Sequence, residues 1–446
     1  MAMRPFVARI CLAIVLAACQ AVPLTAGPTA SPGRTAPGLA PTASPTAAPT
    51  ADRVAGWRSD LAALVPGMDR LHPDLGHGTP VSELEQAAAA LAATVPAATD
   101  DELMVGITRI VARVSANGCD AHTGAYFWGG GASPVDSLPL RLWWFDEGLF
   151  VVDALEPYRS LVGARIDAID GHRTADVLAM IEPIVPRDNE ATVRLLMPRF
   201  VLIPQVLRGL GLVGAGPLDL ETTGPDGRIA TTSVEPLPMS RYNAWAGPYG
   251  LHLPIDPNVP YLSRIGDALW WQLLPDNAST LFVQYNRVDQ LRAADLSMLQ
   301  AALDDPGVDR VVLDIRHNYG GEVSALTSPL ERFERWAAAR PGRLFLVTGR
   351  NTFSAASLFA ARLTATEDVV VSGEAMGGCP TAYGNSRDLR LSYSGIIVSV
   401  AGTLEVGVAP DDPRRTIEPD LPTPLTPEAW AAGLDPALAA IAAEGP

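Results

Sequence analysis

The segment Val311-Val-Leu-Asp-Ile-Arg-His-Asn-Tyr-Gly-Gly321 decides how the rest of the chain is read. It opens as a short run of strand formers and runs straight into paired glycines. Such a run, bounded by turn residues, fits a strand buried on both faces. Paired glycines after a strand let the backbone approach a ligand and aim amide hydrogens at it, although a plain tight turn needs them too. Working outward, the same alternation recurs. Strands are expected at Leu281–Val288, Leu344–Val347 and Val369–Val371, and helices at Ala293–Leu303, Ala325–Ala339 and Ser354–Leu363. Short apolar strands alternating with helices indicate a parallel α/β sheet, and catalytic groups of such sheets collect at the strands' carboxyl ends.

One such end carries Thr352-Phe-Ser-Ala-Ala-Ser357. A serine at a strand-to-helix turn exposes its hydroxyl, and the helix N-terminus stabilises negative charge forming beside it. Serine is also a favoured helix cap, so Ser354 alone does not decide between the two roles.

Together and in this order, the two elements resemble the C-terminal-processing (tail-specific) serine peptidase family. Its pattern is a strand with D-x-R-x-N-x-G-G, then T-x-S-A opening a helix, then a strand ending in G-E-x-x-x-G. This chain has Asp314, Arg316, Asn318, Gly320 and Gly321, then Thr352, Ser354 and Ala355, then Gly373, Glu374 and Gly378. The resemblance spans roughly residues 55 to 435. It implies an α/β fold whose catalytic domain is a crotonase/Clp-like β-α superhelix. It also implies Ser354 as nucleophile, with the amides of Ala355 and of Gly320 or Gly321 as oxyanion hole.

Many relatives use a Ser-Lys dyad, but all 33 basic residues here are arginines. Arginine stays protonated and cannot act as base. A neutral imidazole is the natural replacement. His122, in Gly118-Cys-Asp-Ala-His-Thr123, resembles the D-G-H-T segment of the lysine-free branch typified by the tricorn protease core. His317, beside the glycine pair, is the runner-up. His72, His77, His172 and His252 lie in loop or boundary contexts and read as solvent-exposed. The acid expected to orient the base is Asp412, with Glu418 as alternative, in Asp411-Asp-Pro-Arg-Arg-Thr-Ile-Glu418. The resemblance brings the loops of Cys119 and Cys379 to one site, which implies a disulfide between them. The alternatives are two buried thiols, or Cys379 as an accessory group where relatives keep lysine.

Ahead of this, Arg4 and Arg9 precede an apolar stretch, Ile10 to Ala18, too short to span a bilayer. It ends in Leu16-Ala-Ala-Cys19, which resembles a lipobox. Residues 1–19 are read as a lipoprotein signal peptide with Cys19 lipidated, and 20–52, rich in Pro, Thr and Ala, as a disordered tether. An N-terminal helical region is expected over 53–133, with a capping box at Thr99-Asp-Asp-Glu102. A β-rich region follows over 134–240. There, Gly163 to Gly171 and the helix after it suggest a degenerate PDZ-like module, a weak signal shared by many folds. The catalytic domain is assigned to 241–446, closing on one helix from Pro427 to about Glu444.

The chain has 446 residues and a formal charge of −16, which argues against nucleic-acid partners. No metal or cofactor is expected, since no histidine pair has zinc-peptidase spacing and no phosphate-cradling loop occurs. The expected function is hydrolysis of polypeptide substrates by an exported enzyme, bound to a bacterial membrane through a lipid anchor only. The alternative is a ligand- or peptide-binding lipoprotein on the same fold.

Overall fold

Every residue of Arg310–Asp314 and of Leu344–Thr348 is buried in the computed structural model, because these strands lie inside a six-stranded sheet with both faces covered. The structure describes residues 50–128, 135–247, 253–275, 277–366 and 368–444. Cys19, the signal segment and nearly all of the tether lie outside them. Among the described residues, no helix is long and apolar enough to cross a membrane.

The sheet runs in the order Leu269–Leu274, Asn277–Tyr285, Arg310–Asp314, Leu344–Thr348, Val369–Gly373, Leu421–Pro422. All neighbours are parallel except the first pair, a hairpin. Side chains alternate between faces with the strand period of two. Val311, Leu313, Leu344 and Leu346 enter one core beneath the helices Ala293–Leu303, Thr327–Ala339 and Ala355–Thr366. Val312, Phe345 and Val347 enter another, closed by Ala437 and Ile441 of the helix Pro436–Ala443. The register places Asp314 beside Val347, and Thr348 beside Gly373. The three motif loops therefore leave the sheet at one end.

The expected final helix is two helices, Pro427–Ala431 and Pro436–Ala443. Gly433 sits between them at φ 66°, a left-handed conformation suited to glycine, and Pro436 starts the second helix. The break matters because it frees Asp435. Its two carboxylate oxygens accept from Arg316 Nη1 and Nη2 at 3.0 and 2.9 Å, while Arg316 Nε donates to Asp314. This buried network fastens the C-terminal helix to the loop that leads to Gly320.

The N-terminal helices are Ala51–Asp69, Val81–Thr94 and Asp100–Ala112, the last with the anticipated capping box. They do not form a core of their own. Trp57, Leu103, Leu140, Phe200, Tyr242 and Val398 all belong to one hydrophobic cluster. The borders drawn near residues 133 and 240 thus fall inside a continuous core, and the strand Ile397–Val400 joins it from the assigned catalytic segment. The middle region is a five-stranded antiparallel path from Leu140–Phe145 to Ile229–Val234, with the helices Thr174–Ile181, Glu190–Val201 and Pro204–Gly209 set into it. Its share in the common core gives a PDZ-like module there no boundary of its own.

Removing one member of a buried ion network leaves uncompensated charge. Arg316→Leu is expected to lower the unfolding free energy by about 3–5 kcal/mol, read as a fall in the urea midpoint.

Candidate active site

Ser354 lies between the strand Leu344–Thr348 and the helix Ala355–Thr366, with φ 57°. This left-handed conformation costs an L-residue about 1–2 kcal/mol and persists only where neighbours impose it. Here they do. Phe353 N–H donates to the Asn318 carbonyl at 3.0 Å, Thr352 Oγ1 donates to the Ile315 carbonyl at 2.9 Å, and Gly378 N–H donates to the Thr352 carbonyl at 3.0 Å. Ser357, one turn further on, is buried and spends its hydroxyl on the Thr352 carbonyl.

The glycine pair closes over this turn. A Cβ at Gly320 would stand 2.6 Å from Ser354 Cβ, and the residue has φ 100°. Its amide donates to Asn318 Oδ1 at 2.9 Å and is therefore engaged. The amides of Gly321 and Ala355 donate to no group among the described residues. Of the expected oxyanion donors, the structure thus leaves Gly321 and Ala355 available and commits Gly320.

His122 comes from the far end of the chain. Its Nε2 lies 3.1 Å from Ser354 Oγ, and its ring stacks on Phe353 with centroids 4.7 Å apart. The short strand Gly124–Ala125 pairs with Ile397–Val400, Tyr383 N–H donates to the Cys119 carbonyl, and Ala401 N–H donates to Thr123 Oγ1. Cys119 and Cys379 are joined in a disulfide with Cα atoms 5.4 Å apart. Burial holds the imidazole pKa below its ordinary value, with the charge of Asp120, the Tyr383 backbone and the charge of Glu405 opposing in part.

The acid is where the expectation fails. Asp412 is not brought to His122. Its carboxylate accepts from Arg414 Nη2 at 2.7 Å and Nε at 3.0 Å, an ion pair within its own loop. Glu418 is exposed. His317 is buried, stacked on Tyr261 at 6.0 Å, and lines a small cavity with Arg316 and Glu374 whose walls do not include Ser354. Two carboxylates act on His122 by charge: Asp120, two residues before it, and to a smaller extent Glu405, on the strand Thr403–Val406 beside Thr381–Gly384. A Cβ at Gly384 would touch Glu405 Cγ at 3.0 Å and His122 Cε1 at 3.9 Å, so this glycine leaves room for the two to approach. No hydrogen bond joins them, and His122 Nδ1 has no partner among the described residues. Glu405 occurs in no motif, and only the pairing of the two strands reveals it.

Two further groups escaped sequence reasoning. His72 and His77, expected in solvent, are buried and largely buried, and each Nε2 lies 3.0 Å from Asp120 Oδ2. These donor atoms gather within 4.8 Å, close enough to hold a metal ion. However, Asp74 N–H donates to His72 Nδ1 at 3.0 Å, so the neutral ring keeps its proton on Nε2 and donates it to Asp120. A metal at Nε2 would force Nδ1–H against the Asp74 N–H, opposite to the usual arrangement in which the second nitrogen donates. The cluster fits a hydrogen-bonded anchor instead. Burial alone would raise the Asp120 carboxyl, but its bonds from His72 and His77 outweigh that and hold it below its ordinary range.

Gly320→Ala is expected to keep far-UV circular dichroism unchanged while lowering reaction of Ser354 with a fluorophosphonate by about a hundredfold, because ångström-scale displacement of a reacting group costs on that order.

No protein-family model matches this chain, and no curated protein sequence does. Solved structures do. One is mature CPAF complexed with lactacystin, at TM-score 0.57 and 12% identity over 86% of this chain and 96% of that one. A CPAF mutant gives TM-score 0.60 at 12% identity, over 86% and 95%. The photosystem II D1 C-terminal processing protease overlaps more loosely, at TM-score 0.40 and 14% identity over 84% and 94%. At such identities it is the fold that is shared, and it spans the helical, β-rich and sheet regions together. The chain has a mixed α/β fold similar to that of CPAF.

Proposed function

We propose that this chain is a serine endopeptidase of the C-terminal-processing family, hydrolysing peptide bonds through an acyl-enzyme on Ser354. The observation that carries the reading is the 3.1 Å approach of His122 Nε2 to Ser354 Oγ across more than two hundred residues of sequence. A neutral imidazole there takes the hydroxyl proton as oxygen attacks the carbonyl carbon. The amides of Gly321 and Ala355 receive the oxyanion, and the imidazolium returns the proton to the leaving amine. Water then enters by the same route and frees the serine. Glu405 stabilises the imidazolium by its charge rather than by a direct hydrogen bond.

The polypeptide substrate, export and lipid anchoring at Cys19 belong to this proposal. The last two rest on the lipobox-like segment and the tether composition alone. A [³H]palmitate label lost in Cys19→Ser would support the anchor, and a label unchanged in that variant would remove it.

A fluorophosphonate probe followed by peptide mapping tests the nucleophile. Ser354→Ala should abolish labelling and Ser357→Ala should retain it, since the Ser357 hydroxyl is already bonded within its own turn. Labelling of Ser357, or none in the wild type, would overturn the reading and leave a binding protein on the same fold.

The pH profile follows from the His122 environment. Its pKa lies below the ordinary 6.5, and the base works only when neutral, so the limb of the profile that His122 sets should lie on the acid side of about 6.5. Glu405→Gln removes a charge that raises this pKa. The acid limb of kcat/KM should therefore move to lower pH, whereas a limb unmoved by that substitution would remove Glu405 from the site.

A further inference from the structure

We propose that Asp188 is a positioning residue for this reaction, its carboxylate tying the loop of His122 to the loop beside Ser354. The inference rests on the peptidase reading and adds to it the device that sets where the base stands.

Asp188 is 1% exposed and precedes the helix Glu190–Val201. One carboxylate oxygen accepts from Ala121 N–H at 2.6 Å, in the residue before His122, and the other accepts from Cys379 N–H at 3.1 Å. Its own carbonyl accepts from Cys119 N–H at 2.9 Å. The next turn continues the attachment. Asn189 Nδ2 donates to the Met376 carbonyl at 3.0 Å, and Thr192 Oγ1 donates to the Gly377 carbonyl. Gly378 in turn packs against the nucleophile's turn, where a Cβ would lie 2.1 Å from Ser357 Oγ and 3.2 Å from Ser354 N. A continuous path of hydrogen bonds and contacts thus runs from Ala121 through Asp188 and Cys379 to the serine.

The disulfide joins the same two loops one residue before Asp120, but it leaves rotation about its bonds. Two hydrogen bonds from one planar carboxylate fix both distance and orientation. Only a carboxylate satisfies this arrangement, because both partners are donors. An asparagine offers one oxygen and must turn its NH₂ toward the other amide.

Burial raises the Asp188 carboxyl to about 7, against the two amide bonds and the charge of Arg415 that lower it, while Asp120 adds to the rise. Tyr126 also faces this charge, its hydroxyl donating to the Ala121 carbonyl. Above neutrality the carboxylate is ionised and both bonds are charge-assisted, which roughly doubles their strength. Below it, the protonated form holds the two amides more weakly. The base is therefore held best on the alkaline side of neutrality.

The test uses the full chain and the variants Asp188→Asn and Asp188→Ala, with His122→Ala as the silent control. The expected result is a fall in fluorophosphonate labelling of roughly tenfold for Asn and more for Ala. With a peptide substrate, kcat should drop while KM stays. The wild-type rate should also rise through an ionisation near pH 7 that Asp188→Asn lacks. Wild-type rates and pH profile in both variants, with His122→Ala silent, would overturn the proposal and leave the peptidase reading standing.

If the wild type itself is not labelled, the peptidase reading fails and amide exchange decides the rest. Protection of Ala121 and Cys379, corrected for intrinsic exchange, should rise across neutrality in the wild type, and flat protection would overturn the carboxylate tie. The same measurement serves if both variants fail to fold.

Discussion

His122, the proposed base, stands 232 residues ahead of Ser354 and must be carried to it by contacts the local chain does not supply. The tie between the loop 118–123 and the loop 376–384 performs this task, and much of the architecture converges on it. The disulfide, the Tyr383 to Cys119 backbone bond and the pairing of Gly124–Ala125 with Ile397–Val400 all cross the same seam. The strand Ile397–Val400 lies after the nucleophile in sequence yet buries Val398 and Val400 in the N-terminal core. The two halves of the molecule are thus interleaved, and loss of either core would separate base from serine.

The Ser354 side of the site is built on backbone conformation. Ser354 and Cys119 are non-glycine residues in the left-handed region, at φ 57° and 60°, on opposite sides of the site. Conformational cost at such places is offset by the surrounding hydrogen bonds. Asn318 shows how densely the motif is used. Its side chain accepts from Gly320 N–H and donates to the Tyr285 carbonyl, while its own carbonyl accepts from Phe353 N–H. One residue thereby fixes the glycine loop, the sheet edge and the serine turn together.

Buried charge serves geometry in three places, each with a different solution. Arg316 is shared between Asp314 and Asp435, and burial together with the charge of Asp435 outweighs Arg316 to raise Asp314 to about 6. Asp120 is held by the imidazoles of His72 and His77 and accepts from Thr123 N–H. Asp188 has two backbone amides, with the charge of Arg415 acting on it and no ion pair among the described residues.

Local features could be read from residue order alone. The run from Val311 to Gly321 reads as a buried strand ending in a glycine turn, and its alternation is realised residue by residue in the two cores. The absence of lysine left histidine as the available base, and the capping box at Thr99 fixed a helix start. These are legible because they depend on neighbours a few residues apart. The acid was not. Asp412 lay in plausible register but pairs with Arg414, two residues away. Glu405 reaches His122 only because Thr381–Gly384 and Thr403–Val406 pair with Gly384 opposite Thr403. His72 and Asp188 likewise owe their burial to packing between segments far apart in the chain, and long-range proximity leaves no periodicity for a sequence to display.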